Sequence, residues 1–84
     1  MTRDDILKKI KPIFIKVLEH HNFELTDTTT TEDVDGWGSL THMIIIEEIE
    51  KYFGIKFKLL ELMGMDNIGD LIKSIESNLD VEKN

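Results

Sequence analysis

Cysteine is absent from the 84-residue sequence, which excludes a disulfide framework and a thiolate metal site and leaves packing alone to hold the fold. Long apolar runs are absent too, and no stretch approaches the roughly 20 residues of a membrane-spanning helix. The opening Met1-Thr2-Arg3-Asp4-Asp5 has neither the basic start nor the apolar stretch of a secretory signal, so a cytoplasmic protein without membrane insertion is expected. Positive charge is scarce: 10 Lys and Arg face 17 Asp and Glu, a net charge of −7. Such a surface repels nucleic-acid backbones and attracts partners that present Lys and Arg patches. The length fits a single domain over residues 1–84 with a small core.

What is present is mostly helical periodicity. Ile6, Leu7, Ile10, Phe14, Val17 and Leu18 recur at spacings of three and four, with Thr2 and Asp5 placed as a capping pair. The lone proline, Pro12, falls inside this pattern and predicts one helix kinked near residues 8–12. Periodicity then stops from about His21 to Gly38. Four threonines, Thr28–Thr31, stand among Asp27, Asp33, Asp35 and Gly36, the composition of a loop. Phe23, Leu25, Val34 and Trp37 supply apolar anchors that predict an ordered one.

A second helix is expected over Ser39–Phe53, ended by Gly54. A short turn follows over Leu59–Met63, stopped by Gly64, and Asn67 with Asp70 caps a last helix facing inward with Ile68, Leu71, Ile72, Ile75 and Leu79. The polar tail 80–84 is expected to fray. The fold class is therefore all-α: a small four-helix bundle with a long first loop and a short third helix.

The second helix carries more apolar surface than a bundle requires. His42, Ile45, Ile46, Ile49 and Phe53 make a sufficient core stripe. Leu40, Met43 and Ile44 form an extra patch beside Ser39, followed by the carboxylates Glu47, Glu48 and Glu50. Cover by a neighbouring loop or by the short third helix is one explanation of the patch. The other is a docking face, with apolar groups supplying affinity and carboxylates steering basic partners.

The run Asp35-Gly36-Trp37-Gly38-Ser39-Leu40-Thr41-His42-Met43, the later Phe53-Gly54-Ile55 and the Asn67-Ile68-Gly69-Asp70-Leu71 start of the last helix occur in an order that closely resembles free-standing bacterial acyl carrier proteins. The resemblance implies a four-helix acyl-carrier fold that is not an enzyme. It implies that Ser39 receives 4′-phosphopantetheine from coenzyme A through a phosphopantetheinyl transferase, and that the arm then carries acyl groups as thioesters. Leu40, Met43 and Phe57 would contact the arm. Leu40, Met43, Ile44, Glu47, Glu48 and Glu50 would meet partner enzymes, namely acyl-transferring enzymes, ligases or synthases with basic docking patches. The protein would act as a monomer in a specialised fatty-acid, polyketide or related pathway. An acyl chain would lodge among Ile46, Ile49, Phe57, Met63 and Ile72.

One position departs from the family: Asp usually precedes the modified serine, and Gly38 stands there instead. That makes attachment conditional on a transferase accepting glycine. It also keeps open a carrier-like interaction module without a prosthetic group, and a peptidyl or aminoacyl carrier. On local sequence alone an ordinary helix N-cap is the preferred reading of Ser39, and the family order with the adjoining apolar patch reverses that preference. His20, His21 and His42 lack a ligand set, and the acidic residues of the loop do not follow the EF-hand spacing, so no metal site is expected.

Overall fold

The computed structural model describes residues 2–83, with side chains for 2–79. Its elements are α1 (Arg3–Leu18), a single 3-10 turn (Thr31–Asp33), α2 (Ser39–Phe53), α3 (Leu59–Met63) and α4 (Ile68–Lys83). The all-α expectation and the order of the four helices are borne out. α4 runs past Asp80, where fraying was expected to begin, and the side chains of that tail lie outside the described residues.

α1 starts on a reciprocal cap. The Asp5 N–H donates to Thr2 Oγ1 and the Thr2 N–H donates to Asp5 Oδ2, both at 3.1 Å. The helix continues unbroken through Pro12. Proline withholds the donor that the Lys8 carbonyl would otherwise receive, but Lys8 and Pro12 both lie on the exposed face, where water replaces it. Glu19 closes the helix in the left-handed conformation at φ 62°.

Three helices meet through aliphatic stripes: Ile6, Ile10 and Phe14 of α1, Ile45, Ile46 and Ile49 of α2, and Ile68, Leu71, Ile72 and Ile75 of α4. Each such side chain contributes about 1.5–3 kcal/mol when withdrawn from water. α3 is different. Leu59, Leu60 and Met63 point outward, Leu62 is the one apolar side chain of the four that packs on the core, and Glu61 accepts from the Asn78 side chain at 2.9 Å.

The long loop is ordered, as its apolar anchors predict: Leu25, Val34 and Trp37 are buried in the same cluster. Polar bonds finish the work. Thr29 Oγ1 donates to the Glu24 carbonyl at 3.1 Å and accepts from the Thr26 N–H at 2.9 Å. His20 accepts from the Asn22 N–H at Nδ1 (3.1 Å), so Nε2–H donates to the Asp35 carbonyl at 2.7 Å.

Most consequential is the junction with α4. The Ile68 and Gly69 N–H groups donate to the Thr29 and Asp27 carbonyls, both at 2.9 Å, while Asn67 Oδ1 accepts from the Asp70 N–H at 2.8 Å. The loop thereby satisfies donors that a helix start leaves without partners. The backbones are so close that a Cβ on Gly69 would lie 2.9 Å from the Asp27 oxygen. In an ordinary helix, Gly→Ala stabilises by up to about 1 kcal/mol. Here the sign is reversed: Gly69→Ala is expected to destabilise by about 1–3 kcal/mol, read as a lower urea midpoint. A raised midpoint would contradict the close approach.

Candidate functional site at the start of α2

The first turn of α2 is built by its neighbours. Gly36 takes φ +83°, a conformation that L side chains rarely adopt. Its carbonyl accepts from Thr41 Oγ1 at 2.6 Å, and the same Thr41 oxygen accepts from the Gly38 N–H at 2.9 Å. Gly38 is the N-cap and Ser39 is the first helical residue. The N-cap reading of Ser39 is therefore corrected: Thr41, three residues on from the cap, closes the turn. Ser39 is exposed, and its hydroxyl enters none of the hydrogen bonds among the described residues. It sits beside the N–H groups of Ser39, Leu40 and Thr41, which have no carbonyl a turn behind them and favour an anion together with the positive end of the helix dipole.

Behind the serine, Trp37 is buried with its ring edge-on to Phe14 at 5.0 Å. Its indole N–H donates to His42 Nδ1 at 3.1 Å. Burial pushes the His42 pKa down, and the bond acts in the same direction, because protonated Nδ1 carries a hydrogen and can no longer accept. A cavity of about 260 Å³ opens here, lined by Thr31, Trp37, Gly38, Ser39, His42, Met65, Asp66, Asn67 and Leu71.

The residues singled out in the sequence are distributed unevenly. Leu40, Met43 and Ile44 are 77%, 54% and 40% exposed, so the bundle leaves this patch largely uncovered. Glu47 is exposed as well. Glu48 and Glu50 are half-buried and have internal partners: Glu48 lies 3.6 Å from Lys16, and Glu50 accepts from the Phe57 N–H at 2.9 Å. Phe57 is buried and is not among the residues lining the cavity beside Ser39. The space expected for an acyl chain is closed in the chain without cargo. Ile46, Ile49, Phe57 and Ile72 are closed core, Met63 is 73% exposed, and the space beside Ser39 has other walls. Sequence reasoning missed Met65 as a wall and the Thr41 hydroxyl that bridges the Gly38 N–H and the Gly36 carbonyl; the Gly-x-x-Thr spacing was the available sign of the latter.

An exposed, uncapped serine at the mouth of a four-helix bundle, with its own small cavity, defines a carrier domain. The chain belongs to the family described as "Phosphopantetheine attachment site", which matches residues 8–75. The prosthetic group of such domains is covalently attached 4′-phosphopantetheine, and the domain is a carrier whose chemistry is done by other domains or proteins. The fold is similar to the solution structure of a holo acyl carrier protein from Geobacter metallireducens. That match has a TM-score of 0.84 and 36% identity, over 92% of this chain and 88% of that one. A 75-residue stretch, 89% of the chain, is 35% identical to part of the non-reducing polyketide synthase pkdA of Emericella nidulans, and spans 3% of that protein's length.

The His42 environment sets a pH dependence. A base whose folded pKa is depressed leaves the unfolded chain binding more protons in the window between the two values. Stability is therefore full above about pH 6.5, the unperturbed value, and falls as pH drops towards the folded pKa. Urea titrations at neutral and mildly acidic pH are expected to show this loss in the native chain and a smaller one in His42→Asn, which keeps an acceptor for Trp37 without an ionisable ring. Equal losses would place the effect elsewhere.

Proposed function

We propose that Ser39 is the attachment residue and that the protein carries acyl groups as thioesters for a polyketide-type or fatty-acid-type pathway. The observation that carries this reading is the free Ser39 hydroxyl at the α2 N-terminus, in a turn held closed by the Thr41 hydroxyl. The residues fit the group: the hydroxyl is exposed, unpaired N–H groups face an incoming phosphate, and the adjoining cavity offers the arm a wall. In the attachment step the Ser39 oxygen attacks the pantetheine-side phosphorus of the coenzyme A diphosphate. A new P–O bond forms, the diphosphate P–O bond breaks, the adenosine bisphosphate leaves, and the hydroxyl proton passes to a base on the transferase. Once attached, the arm's terminal thiol forms thioesters with the cargo.

The similarity to a segment of a polyketide synthase supports synthase enzymes as partners. The exposed Leu40, Met43 and Ile44 with Glu47 are the docking face we assign, and Glu47 is the carboxylate there without an internal partner among the described residues. A cytoplasmic monomer fits the acidic charge, which discourages self-association.

Gly38 favours a second reading, a carrier-fold interaction module without an arm. The backbone itself is no obstacle to the family's usual residue: φ is −125°, and a Cβ at Gly38 would meet nothing within 4 Å. Incubation with coenzyme A and promiscuous phosphopantetheinyl transferases, followed by intact-mass analysis, is expected to give one adduct that Ser39→Ala abolishes. Absence of an adduct with every transferase, against a working control carrier, would leave the module reading.

Gly38→Asp is expected to speed loading and to raise stability by a few tenths of a kcal/mol, since aspartate is a better N-cap than glycine. Unchanged kinetics would mean that transferases do not use a carboxylate at this position. Glu47→Lys is expected to slow loading and to flatten its dependence on salt, because opposite charges accelerate encounter; unaltered kinetics would move the docking face.

A further inference from the structure

We infer that the cavity beside Ser39 seats the near part of the phosphopantetheine arm, through a hydrogen bond from His42 Nε2–H to an oxygen of the arm's pantoyl unit. The inference rests on the reading of Ser39 as the attachment site. Four observations carry it. Ser39 and His42 are three residues apart on α2, which places their Cβ atoms about 5–6 Å apart on one face, and both line the same cavity.

The second observation is the tautomer. Trp37 Nε1–H occupies His42 Nδ1, so the neutral ring has one N–H and it lies on Nε2. No described residue accepts from it. His42 is half-buried, yet no side-chain nitrogen or oxygen among the described residues is both sealed from solvent and unpartnered. Nε2 therefore borders open space, and the space lined by this ring is the cavity.

The third is the match of walls to ligand. Trp37, Met65 and Leu71 are apolar, whereas Thr31 and Asn67 are neutral and polar. A pantoyl unit has the same mixture: a gem-dimethyl carbon next to a hydroxyl and an amide carbonyl, one ester bond from the phosphate. Asp66 also lines the cavity, and its carboxylate disfavours a second anion. The phosphate thus stays at the α2 N-terminus while the neutral unit turns inward. The fourth is size: about 260 Å³ is below the ~300–1,000 Å³ of sites that enclose drug-sized ligands, and suits part of the arm.

The seat makes His42 a positioning residue. The test loads the full chain with an arm carrying ¹³C in its gem-dimethyl group, verifies one adduct by mass, and records methyl contacts by NMR. The expected result is contacts from these methyls to Met65 and Leu71 in the holo form without cargo, with a shift of the indole N–H of Trp37, the sole tryptophan. His42→Asn, which retains an acceptor for the indole but loses the Nε2 donor, is expected to reduce the seated population about fivefold, read on samples brought to full loading as verified by mass.

A full adduct whose methyls show no contact to the cavity overturns the inference and leaves Ser39 as the attachment site. Contacts that arise only after acylation with a 3-oxoacyl group also overturn it, by making the cavity a seat for cargo. Absence of any adduct removes both readings and is identified by mass alone. If His42→Asn fails to fold, the native-chain contacts still decide.

Discussion

Two carbonyls in the long loop hold the architecture in register. Between Leu18 and Ser39 the chain has no helix beyond one 3-10 turn, and a segment of that length must place its backbone polar groups somewhere. Asp27 and Thr29 place theirs on the first N–H groups of α4. One contact thus serves two orphaned sets, the loop's acceptors and the helix's donors. It requires a residue without a side chain at Gly69, and it brings α4 up against the loop whose far end presents Trp37, Gly38 and Ser39. The walls of the cavity come from both sides of that junction.

At the site itself the chemistry depends on a division of labour over three residues. Serine at a helix start ordinarily spends its oxygen on capping. Here Gly38 is the N-cap, Thr41 ties the turn to the Gly36 and Gly38 backbone, Gly36 bends the chain at positive φ, and Ser39 is left with an exposed hydroxyl in the field of the helix. A nucleophile that must be handed to another enzyme has to be exposed yet fixed in place, and this arrangement supplies both conditions. Trp37 gives the turn its rigidity by joining Phe14 in the core to His42 on α2.

Much of this was legible in the sequence, and the reasons differ by residue. The stripes of α1, α2 and α4 follow from helical period alone, and Gly54 ends α2 at φ 66° as its position predicts. The loop anchors were readable because an apolar residue in a polar stretch has few other uses. What escaped was set by tertiary distance. No local pattern says that Gly69 lies under Asp27, that Glu50 is taken up by the Phe57 N–H, or that Phe57 closes the core instead of facing the serine. Pro12 interrupts the donor pattern without ending the helix, as the single helix expected over this stretch requires.

α3 has a mechanical consequence. Leu62 and the Glu61–Asn78 bond are the inward holds described for it, against the continuous aliphatic stripes of the longer helices. The free energy needed to lift it is correspondingly a small fraction of that needed to open the bundle, and segments of this kind open locally long before the whole chain unfolds. The bundle therefore has a soft wall and three hard ones. A large deformation of the bundle can begin at α3 without disturbing the register that keeps Ser39 in place.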